Sequence, residues 1–599
     1  MNKVILEVTK NIINRSQKSR IAYKEKIKNA KIKCKTNRDC LGCSNVAHAL
    51  ASMDSDKRKT LETTDIPNIA IITAYNDMLS AHEPFKYFPD IIKKTLLKHG
   101  ASAQVASGVP AMCDGVTQSQ SGMELSLYSR DSIAQSAAIG LSHNVYDAAI
   151  YLGVCDKIIP GLFTAAMSFG HLPAIFMPSG PMTTGIDNAS KAKSRQEYAQ
   201  GKIDKKELLK VESKSYHSSG TCTFYGTANS NQMVLEMMGL QLPNSSFVNA
   251  YTPLRDELTK FACKQLMKNY KPIAQIVDER SFVNAIVGLM ATGGSTNQTL
   301  HLISMARSAG IIINWDDFDA ISSVTPLICK LYPNGKADVN GFRDAGGLSV
   351  VIHQLLGLGL VHEDVETMMG KGLKNYIVEP FLENGVLRYR DDVLSSRDEE
   401  IISKENQPFN DEGGLRVLEG NIGRSVMKTS ALKEGHLDIL APAIVFESQE
   451  ALQDAFTRGE LEKDFIAVVR HQGPKANGMP ELHGLMTPMG VLQDKGYKVG
   501  IITDGRMSGA SGKVPSAIHL TPEAIDGGVL AKIKTGDMIH LDIINKKITL
   551  HVKDIEKRKP IKIDLSQNYI GVGRELFGVF RQNISDAEHG ASIFNYEES

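Results

Sequence analysis

Long apolar runs, aromatic side chains and cysteine are all scarce in this chain of 599 residues. Aromatic residues make up 6% of it, with a single tryptophan. No stretch approaches the roughly 18 uninterrupted apolar residues that a membrane-spanning helix needs. The start of the chain also lacks an apolar run of signal-peptide length. We therefore expect a cytoplasmic protein that works without a membrane.

An excess of either charge is also missing. The chain has 68 Lys and Arg against 67 Asp and Glu, which gives a net charge of +1. The basic residues are spread along the sequence, which argues against nucleic acid as the main partner. They do crowd the first 35 positions. There they are interleaved with apolar residues such as Val4, Ile5, Val8, Ile12 and Ile13, and this pattern favours an amphipathic surface helix.

Eight cysteines are too few for a disulfide scaffold in a chain of this length. We expect free thiols, some of which hold a metal. Cys34, Cys40 and Cys43 form a C-x5-C-x2-C pattern. A single C-x2-C pair without a second one is a weak zinc motif, so the role of these three stays open.

Short β-branched runs that end in polar, glycine-containing segments predict buried parallel strands. They are 69–73, 148–152, 174–177, 466–469 and 499–502. Helical patterns separate the early runs, so we expect residues 1–390 to form a doubly wound α/β domain. Ligands of such sheets bind beyond the carboxyl ends of the strands.

A charged, weakly periodic stretch over 388–412 indicates a linker. Beyond it, short strands and glycines predict a β-rich, barrel-like C-terminal domain over residues 410–599. Residues 539–552 in particular are typical of two strands around an Asn-Lys turn.

The tripeptide Cys155-Asp156-Lys157 follows a predicted strand, where a sheet of this kind presents side chains to a crevice. A thiolate is a soft ligand that suits iron, whereas a carboxylate suits a hard cation such as magnesium. The tripeptide can therefore serve two different metals. An equally simple interpretation is a half-buried thiol beside a solvated Asp-Lys turn.

Two further cysteines stand in segments rich in small residues. Cys222 lies in a loop where the backbone can approach a cluster closely. Cys113 directly precedes Asp114 and so repeats the Cys-Asp pair. Either cysteine can instead be an inert small hydrophobe. Glu481 lies just past a predicted strand and is a candidate metal ligand.

The segment 503–513 follows a predicted strand and superficially resembles a phosphate-binding loop. Met507 stands where a Walker A motif has its first glycine, and Val514 stands where Ser or Thr should follow the lysine. We therefore interpret Ser508 as a base on a glycine-flanked turn, active once a neighbouring positive charge lowers its pKa.

Taken in order, these segments resemble the dihydroxy-acid dehydratase and 6-phosphogluconate dehydratase family over nearly the whole chain. Within the family the likeness is greatest to the phosphogluconate branch, and four segments carry it: 73–85, 108–122, 219–231 and 252–256. The other branch has a cluster cysteine in the segment that matches Ser80-Ala81-His82, and a serine in place of Cys113. This chain differs from that branch at both positions.

The resemblance implies a hydro-lyase that forms a homodimer or a higher homo-oligomer. It implies an iron-sulfur cluster, 4Fe-4S rather than 2Fe-2S, held by Cys155 and Cys222 with Cys113 as the third candidate ligand. It also implies Mg²⁺ where relatives bind it. The matching positions are Asp114, Asp156 and Glu481, and Lys157 matches a lysine that some relatives carry carbamylated.

The reaction that the resemblance implies is dehydration of 6-phospho-D-gluconate to 2-dehydro-3-deoxy-6-phospho-D-gluconate, the committed step of the Entner-Doudoroff route. Ser508 and Lys157 would be the catalytic residues. A phosphate needs cationic or amide donors. The candidates are Arg255, Arg130, Lys513 and the amides of Gly293 and Gly294. The two glycines precede a helical pattern, and amides at the start of a helix can bind an anion. Such a segment on its own is more often only a helix cap.

Three rival interpretations also fit the sequence. One is a dehydratase of the same family that acts on an unphosphorylated sugar acid or a branched dihydroxy acid. Another is a redox iron-sulfur protein, which would normally bind every iron through its own side chains. The third is a binding protein without a cluster.

Overall fold

The computed structural model describes residues 1–30, 34–53, 55, 58, 65–392, 394–509, 511–594 and 596. A four-stranded sheet lies in the first half of the chain and a closed barrel of eight strands lies in the second half. The predicted α/β architecture with a barrel in the C-terminal region is therefore confirmed. Within the described residues, no helix is both long and apolar enough to cross a membrane.

The sheet of the first half is parallel and has the order β2-β1-β3-β4. Its strands are β1 (Asn68–Thr73), β2 (Ser102–Gly108), β3 (Ala148–Leu152) and β4 (Ala174–Met177). β1, β3 and β4 are buried along their whole length and confirm three predicted strands. β2 escaped prediction because it is an edge strand of small and polar residues that is only partly buried.

Helices surround this sheet and link it to the barrel. Those within the described residues are Lys3–Ala30, Cys43–Leu50, Phe88–Lys98, Asp114–Thr117, Ser126–Leu141, Ile158–Ser168, Asn188–Ala199, Lys205–Ser215, Thr227–Met237, Pro253–Lys268, Ile273–Ile276, Glu279–Ala291, Gln298–Ser308, Trp315–Ser322, Val339–Asp344, Gly347–Gly357, Gln449–Thr457, Pro474–Asn477, Met486–Asp494 and Gly578–Asn583. The first of them is amphipathic, as the sequence predicts, and buries Ile5, Val8 and Ile12.

Two antiparallel pairs of strands lie between the sheet and the barrel in the sequence. They are β5 (Glu366–Thr367) with β6 (Gly370–Lys371) and β7 (Glu379–Glu383) with β8 (Val386–Arg390). β8 enters the predicted linker. Farther along it, Ile402 and Asn410 form bridges to Cys329 and Leu327. The second part of this segment is therefore held against the first half of the chain.

The barrel combines antiparallel and parallel pairing. Its strands are β9 (Leu415–Gly420), β10 (Gly423–Lys428), β11 (Asp438–Phe446), β12 (Phe465–Val469), β13 (Val499–Thr503), β14 (Ser516–Thr521), β15 (Met538–Asp542) and β16 (Lys547–Leu550). The strands β11 to β14 run parallel, and the order β10-β14-β13-β12-β11-β15-β16-β9 closes the barrel. β12 and β13 confirm the predicted strands, and β15 with β16 confirms the predicted pair around Asn545-Lys546.

The residues after the barrel return to the parallel sheet's side of the molecule. Arg130 donates to the carbonyl oxygens of Gly590, at 3.0 Å, and Ala591. Its neighbour Asp131 accepts from Ser592 Oγ at 3.0 Å and from Ile593 N at 2.8 Å. The C-terminal segment thus closes onto the helix Ser126–Leu141.

One expectation about the cysteines is wrong. Cys34 and Cys40 form a disulfide, because the turn between them brings their Cα atoms to 5.9 Å, a separation typical of this bond. They are therefore not the free thiols that we expected. Cys43 is free and exposed.

Candidate active site

The predicted metal ligands lie beyond the carboxyl ends of parallel strands from both halves. Asp114 follows β2, Asp156 follows β3, and Glu481 comes after β12 of the barrel. One carboxylate oxygen of each lies within 4.8 Å of those of the other two. The site is therefore built between the sheet and the barrel, and neither half contains all three carboxylates.

Two buried cations offset part of the charge of this acidic group. Arg506 reaches Asp114 Oδ2 at 2.9 Å and Glu481 Oε2 at 3.1 Å. Lys157 forms ion pairs with Asp114 and, at 3.5 Å, with Asp156 Oδ2. Each of these cations is 1% exposed, so the pairs are screened little by water. Arg506 is a site residue that the sequence interpretation missed.

Burial and mutual repulsion divide the pKa values of the three carboxylates. Burial, and then the charge of Asp114, raise the pKa of Glu481 to about 7. The same two causes raise the pKa of Asp156, although Lys157 opposes them. Burial alone would raise the pKa of Asp114, but Lys157 and Arg506 hold it below its usual value. A set of carboxylates this close suits a hard divalent cation, which would relieve their repulsion.

An asparagine fixes the loop that carries Cys155 and Asp156. Asn231 Nδ2 donates to the carbonyl oxygens of Cys155, at 3.0 Å, and Asp156, at 2.9 Å. Gln298 Nε2 in turn donates to Asn231 Oδ1 at 2.8 Å. These hydrogen bonds matter because Cys155 has a φ of +72°, which is uncommon for any residue except glycine.

Three thiols lie close enough to influence one another. Burial raises the pKa of Cys155, Cys113 and Cys222, the last to about 12. After burial, the charge of Cys113 raises the pKa of both Cys155 and Cys222. Thiolates gathered in this way, on one buried and two half-buried cysteines, are costly unless a metal binds them. The three cysteines therefore fit an iron-sulfur cluster chemically. Asn229 Nδ2 holds the loop of Cys222, because it donates to the carbonyl oxygen of Cys222 at 2.8 Å.

Ser508 is buried in a loop after β13 that packs against the first half of the chain. Asn297 Nδ2 donates to the carbonyl oxygen of Met507 at 3.1 Å. A Cβ on Gly509 would lie 2.5 Å from Thr227 N, so only glycine permits this approach. The loop thereby brings Ser508 to the start of the helix that follows Cys222.

A narrow cavity opens beside Ser508, and a lysine that the sequence interpretation missed lines it. The lining residues are Thr296, Lys428, Met507, Ser508, Ser511, Gly512, Val514, Ser516 and Ile518. Lys428 is buried, and its Nζ donates to the carbonyl oxygen of Gly293 at 2.8 Å. Nothing in the local sequence marks this lysine, since its partner lies 135 residues away.

Most of the predicted phosphate ligands are engaged with the scaffold. Arg130 holds the C-terminal segment, and Arg255 Nη2 donates to the carbonyl oxygens of Ser245, at 2.7 Å, and Val248, at 2.5 Å. The amides of Gly293 and Gly294 donate to carbonyls in the preceding helix. Lys513 is exposed, with Nζ 5.5 Å from the ring centre of Tyr332. These contacts favour Lys513 among the candidates.

A second lysine lies beside Cys222 and was also missed. Lys191 is buried, with Nζ 4.8 Å from the ring centre of Tyr216 and 5.6 Å from that of Phe224. Burial, and then the nearby Arg195, lower the pKa of Lys191, whereas Cys222 raises it. A cation thus adjoins the thiol group from the side of the helix Asn188–Ala199.

Comparison with known proteins covers nearly the whole chain. Family models described as the N-terminal and C-terminal parts of dihydroxy-acid/6-phosphogluconate dehydratase match residues 66–376 and 400–591. The chain is 54% identical to a phosphogluconate dehydratase of Escherichia coli, over 100% of both chains. It is 49% identical to that of Zymomonas mobilis, over 99% of this chain and 98% of the relative. A dihydroxy-acid dehydratase of Acetivibrio thermocellus is 32% identical, over 90% of this chain and 96% of its own.

Proposed function

We propose that the chain, which belongs to the dihydroxy-acid/6-phosphogluconate dehydratase family, converts 6-phospho-D-gluconate to 2-dehydro-3-deoxy-6-phospho-D-gluconate and water. The observation that carries the proposal is the 54% identity, over the full length, to a protein named phosphogluconate dehydratase. Identity to the dihydroxy-acid dehydratase is lower, at 32%. On this proposal the enzyme is a hydro-lyase of the Entner-Doudoroff route.

The proposal includes two resident metal groups. We assign an iron-sulfur cluster, 4Fe-4S rather than 2Fe-2S, to the thiols of Cys113, Cys155 and Cys222. We assign Mg²⁺ to the carboxylate group described above. When bound, the cluster would supply a Lewis acid for the C3 hydroxyl, and the magnesium ion would stabilise negative charge that develops as the C2 proton leaves. The neighbouring thiols and the neighbouring carboxylates support these assignments.

The side chains of the protein have separate tasks in this reaction. Ser508 is the base that removes the proton from C2, which is only weakly acidic. Arg506 fixes Asp114 and Glu481 in place across the boundary between the sheet and the barrel. Burial of these groups excludes water, which strengthens every charge interaction within the site.

Lys157 has two possible chemical states in this proposal. As an ammonium it neutralises Asp114 and Asp156, as in this structure. Loss of two protons from the ammonium and addition of carbon dioxide to Nζ would turn it into an anionic carbamate and a further metal ligand. Intact-protein mass spectrometry under mild conditions distinguishes the states, because the carbamate adds the mass of one carbon dioxide.

We further propose that the enzyme acts in the cytoplasm as a homodimer or a higher homo-oligomer. A phosphorylated sugar acid is strongly anionic and does not cross a lipid bilayer unaided, which supports a cytoplasmic site of action.

Substrate comparison tests the proposed function. Anaerobically purified protein is assayed for 2-keto acid formation from 6-phosphogluconate, gluconate and 2,3-dihydroxyisovalerate. Charged hydrogen bonds contribute about 1.5–3 kcal/mol each, so two contacts to the phosphate predict a kcat/KM at least about 100-fold higher for 6-phosphogluconate. Higher kcat/KM for gluconate or dihydroxyisovalerate would instead assign the chain to another substrate.

Two further measurements distinguish the enzyme from a binding protein and from a redox protein. Iron and sulfide analysis should find a cluster in the anaerobic protein, and its absence would favour a binding protein. The visible spectrum of the cluster should change when 6-phosphogluconate is added. A spectrum that is indifferent to substrate would favour a redox protein.

A further inference from the structure

A serine hydroxyl acts as a base only after another group has taken its proton. We propose that Lys428 is the positioning residue that accepts the hydroxyl proton of Ser508, and this inference rests on the proposed function. Nothing in the family match assigns a role to this lysine.

Lys428 and Ser508 line the same narrow cavity from two neighbouring parts of the barrel. Lys428 is the last residue of β10, which pairs with β14, and Ser508 lies in the loop that joins β13 to β14. This loop covers the stem of the lysine, because a Cβ on Gly512 would lie 3.2 Å from Lys428 Cδ. The hydroxyl of Ser511, buried and without a hydrogen-bond partner among the described residues, lines the cavity as well.

The surroundings of Lys428 favour a neutral amine. Nζ donates to the carbonyl oxygen of Gly293 at 2.8 Å, and no carboxylate in the described part of the chain forms an ion pair with it. Burial lowers the pKa of Lys428 to about 7. A large share of the side chain is therefore unprotonated at neutral pH and can accept a proton. A lysine paired with a carboxylate could not do this.

The elements packed against Lys428 contribute few ionisable groups. On the same face of the barrel wall, β9 presents Leu415 and Val417, which pair with Lys428 and Val426. The part of β14 that lines the cavity presents Ser516 and Ile518. The loop that carries Ser508 contributes the exposed Lys513, whose ammonium lies over a tyrosine ring. Burial is accordingly the one cause of the lowered pKa of Lys428.

The proton transfers balance over one turnover. Lys428 Nζ takes the proton of Ser508 Oγ, and the resulting alkoxide takes the C2 proton while the C3–O bond breaks. The electron pair of that bond leaves with the hydroxide, which becomes water when the Lys428 ammonium returns its proton. The enol product then becomes the keto acid as a proton moves from its C2 oxygen to C3.

Two substitutions at Lys428 test this role. Lys428→Met should lower kcat by about 10²–10⁴-fold, the usual contribution of a positioned proton acceptor. KM for 6-phosphogluconate should change by less than about threefold. Lys428→Arg should be equally slow, because a guanidinium keeps the positive charge but does not accept a proton in a protein. Restoration of kcat by arginine, or an effect confined to KM, would overturn the proposal in favour of an anion-binding role.

The pH profile provides a second readout. Because the amine must be neutral, wild-type kcat should fall as the pH falls through about 7, the pKa of Lys428. At saturating Mg²⁺, which keeps Glu481 ionised, this acid limb should be absent from Lys428→Met. Lys433→Met, which replaces an exposed lysine of the same region, is the matched control and should keep both kcat and the limb. Cluster absorbance and melting temperature exclude a folding defect.

A measurement that does not depend on turnover completes the test. In protein labelled with [ε-¹³C]lysine, the resonance that is missing from Lys428→Met should titrate with a midpoint near 7. A midpoint near the ordinary lysine value of about 10.4 would overturn the proposal. If the wild type fails to dehydrate 6-phosphogluconate, the proposed function fails, whereas this titration still reports on Lys428.

Discussion

Replacing Asn231 by alanine should loosen the loop that carries Cys155 and Asp156. The substitution removes the donor to one buried and one partly buried carbonyl, and it removes the acceptor of Gln298 Nε2. A lost hydrogen bond costs about 1 kcal/mol, and a buried group left unsatisfied costs about 1–3 kcal/mol. We therefore expect Asn231→Ala to lower the free energy of unfolding by roughly 3–5 kcal/mol. The costs of the three unsatisfied groups do not add in full, because the groups lie around one side chain.

Loss of these hydrogen bonds should destabilise the loop of Cys155 and Asp156 more than the rest of the chain. Without the hydrogen bonds from Asn231, Cys155 loses the contacts that hold its backbone at a φ of +72°. Iron content per chain should fall in Asn231→Ala, and the melting temperature of anaerobically purified protein should fall with it. Asn231→Asp should be at least as damaging, because an ionised carboxylate accepts hydrogen bonds and cannot donate to the two carbonyls.

The matched control is an asparagine on an exposed helix. Asn583 Nδ2 donates to the carbonyl of Val579 at the surface, and Asn583→Ala should change stability by less than about 0.5 kcal/mol. If Asn231→Ala has the iron content and melting temperature of this control, the asparagine does not hold the loop and the reasoning is refuted.

Three further substitutions test other assignments. Ser508→Ala should keep the iron content and visible spectrum of the wild type but lose turnover, so substantial residual activity would contradict its role as the base. Cys155→Ser should lose iron and the cluster spectrum, whereas retention of both would remove Cys155 from the ligands. Arg130→Met should release the C-terminal segment by freeing the carbonyls of Gly590 and Ala591. We expect Arg130→Met to lower the free energy of unfolding by about 3–5 kcal/mol, as loss of a buried charged partner does. Proteolysis near the C-terminus should also become faster. Unchanged stability and proteolysis would show that other residues hold the segment.

Prediction from sequence succeeded where a local pattern carries the information. β1, β3, β12 and β13 are nearly continuous apolar runs, because both faces of each strand are buried. β2 failed this criterion because its small and polar residues are only partly buried at the edge of the sheet. Strands that lie inside the molecule were thus predictable, and a strand at its margin was not.

The side chains that arrange the site were not predictable in the same way. Asn231 and Lys428 act through backbone carbonyls that lie 76 and 135 residues away in the sequence. Arg506 joins carboxylates from both halves of the chain, and its partner Asp114 is 392 residues distant. Such partners come into contact only in the tertiary structure, and no spacing in the sequence predicts the contact.

The division of the site between the two halves also orders its assembly on the ribosome. Cys222, the last of the three thiols, leaves the ribosome 284 residues before Arg506 (506 − 222), which takes roughly 14 to 57 seconds at about 5–20 residues per second. During that interval the nascent chain carries the thiols but not yet the complete barrel, whose last strand ends at Leu550. If the thiols hold the proposed cluster, iron and sulfide can reach them before the carboxylate group is complete.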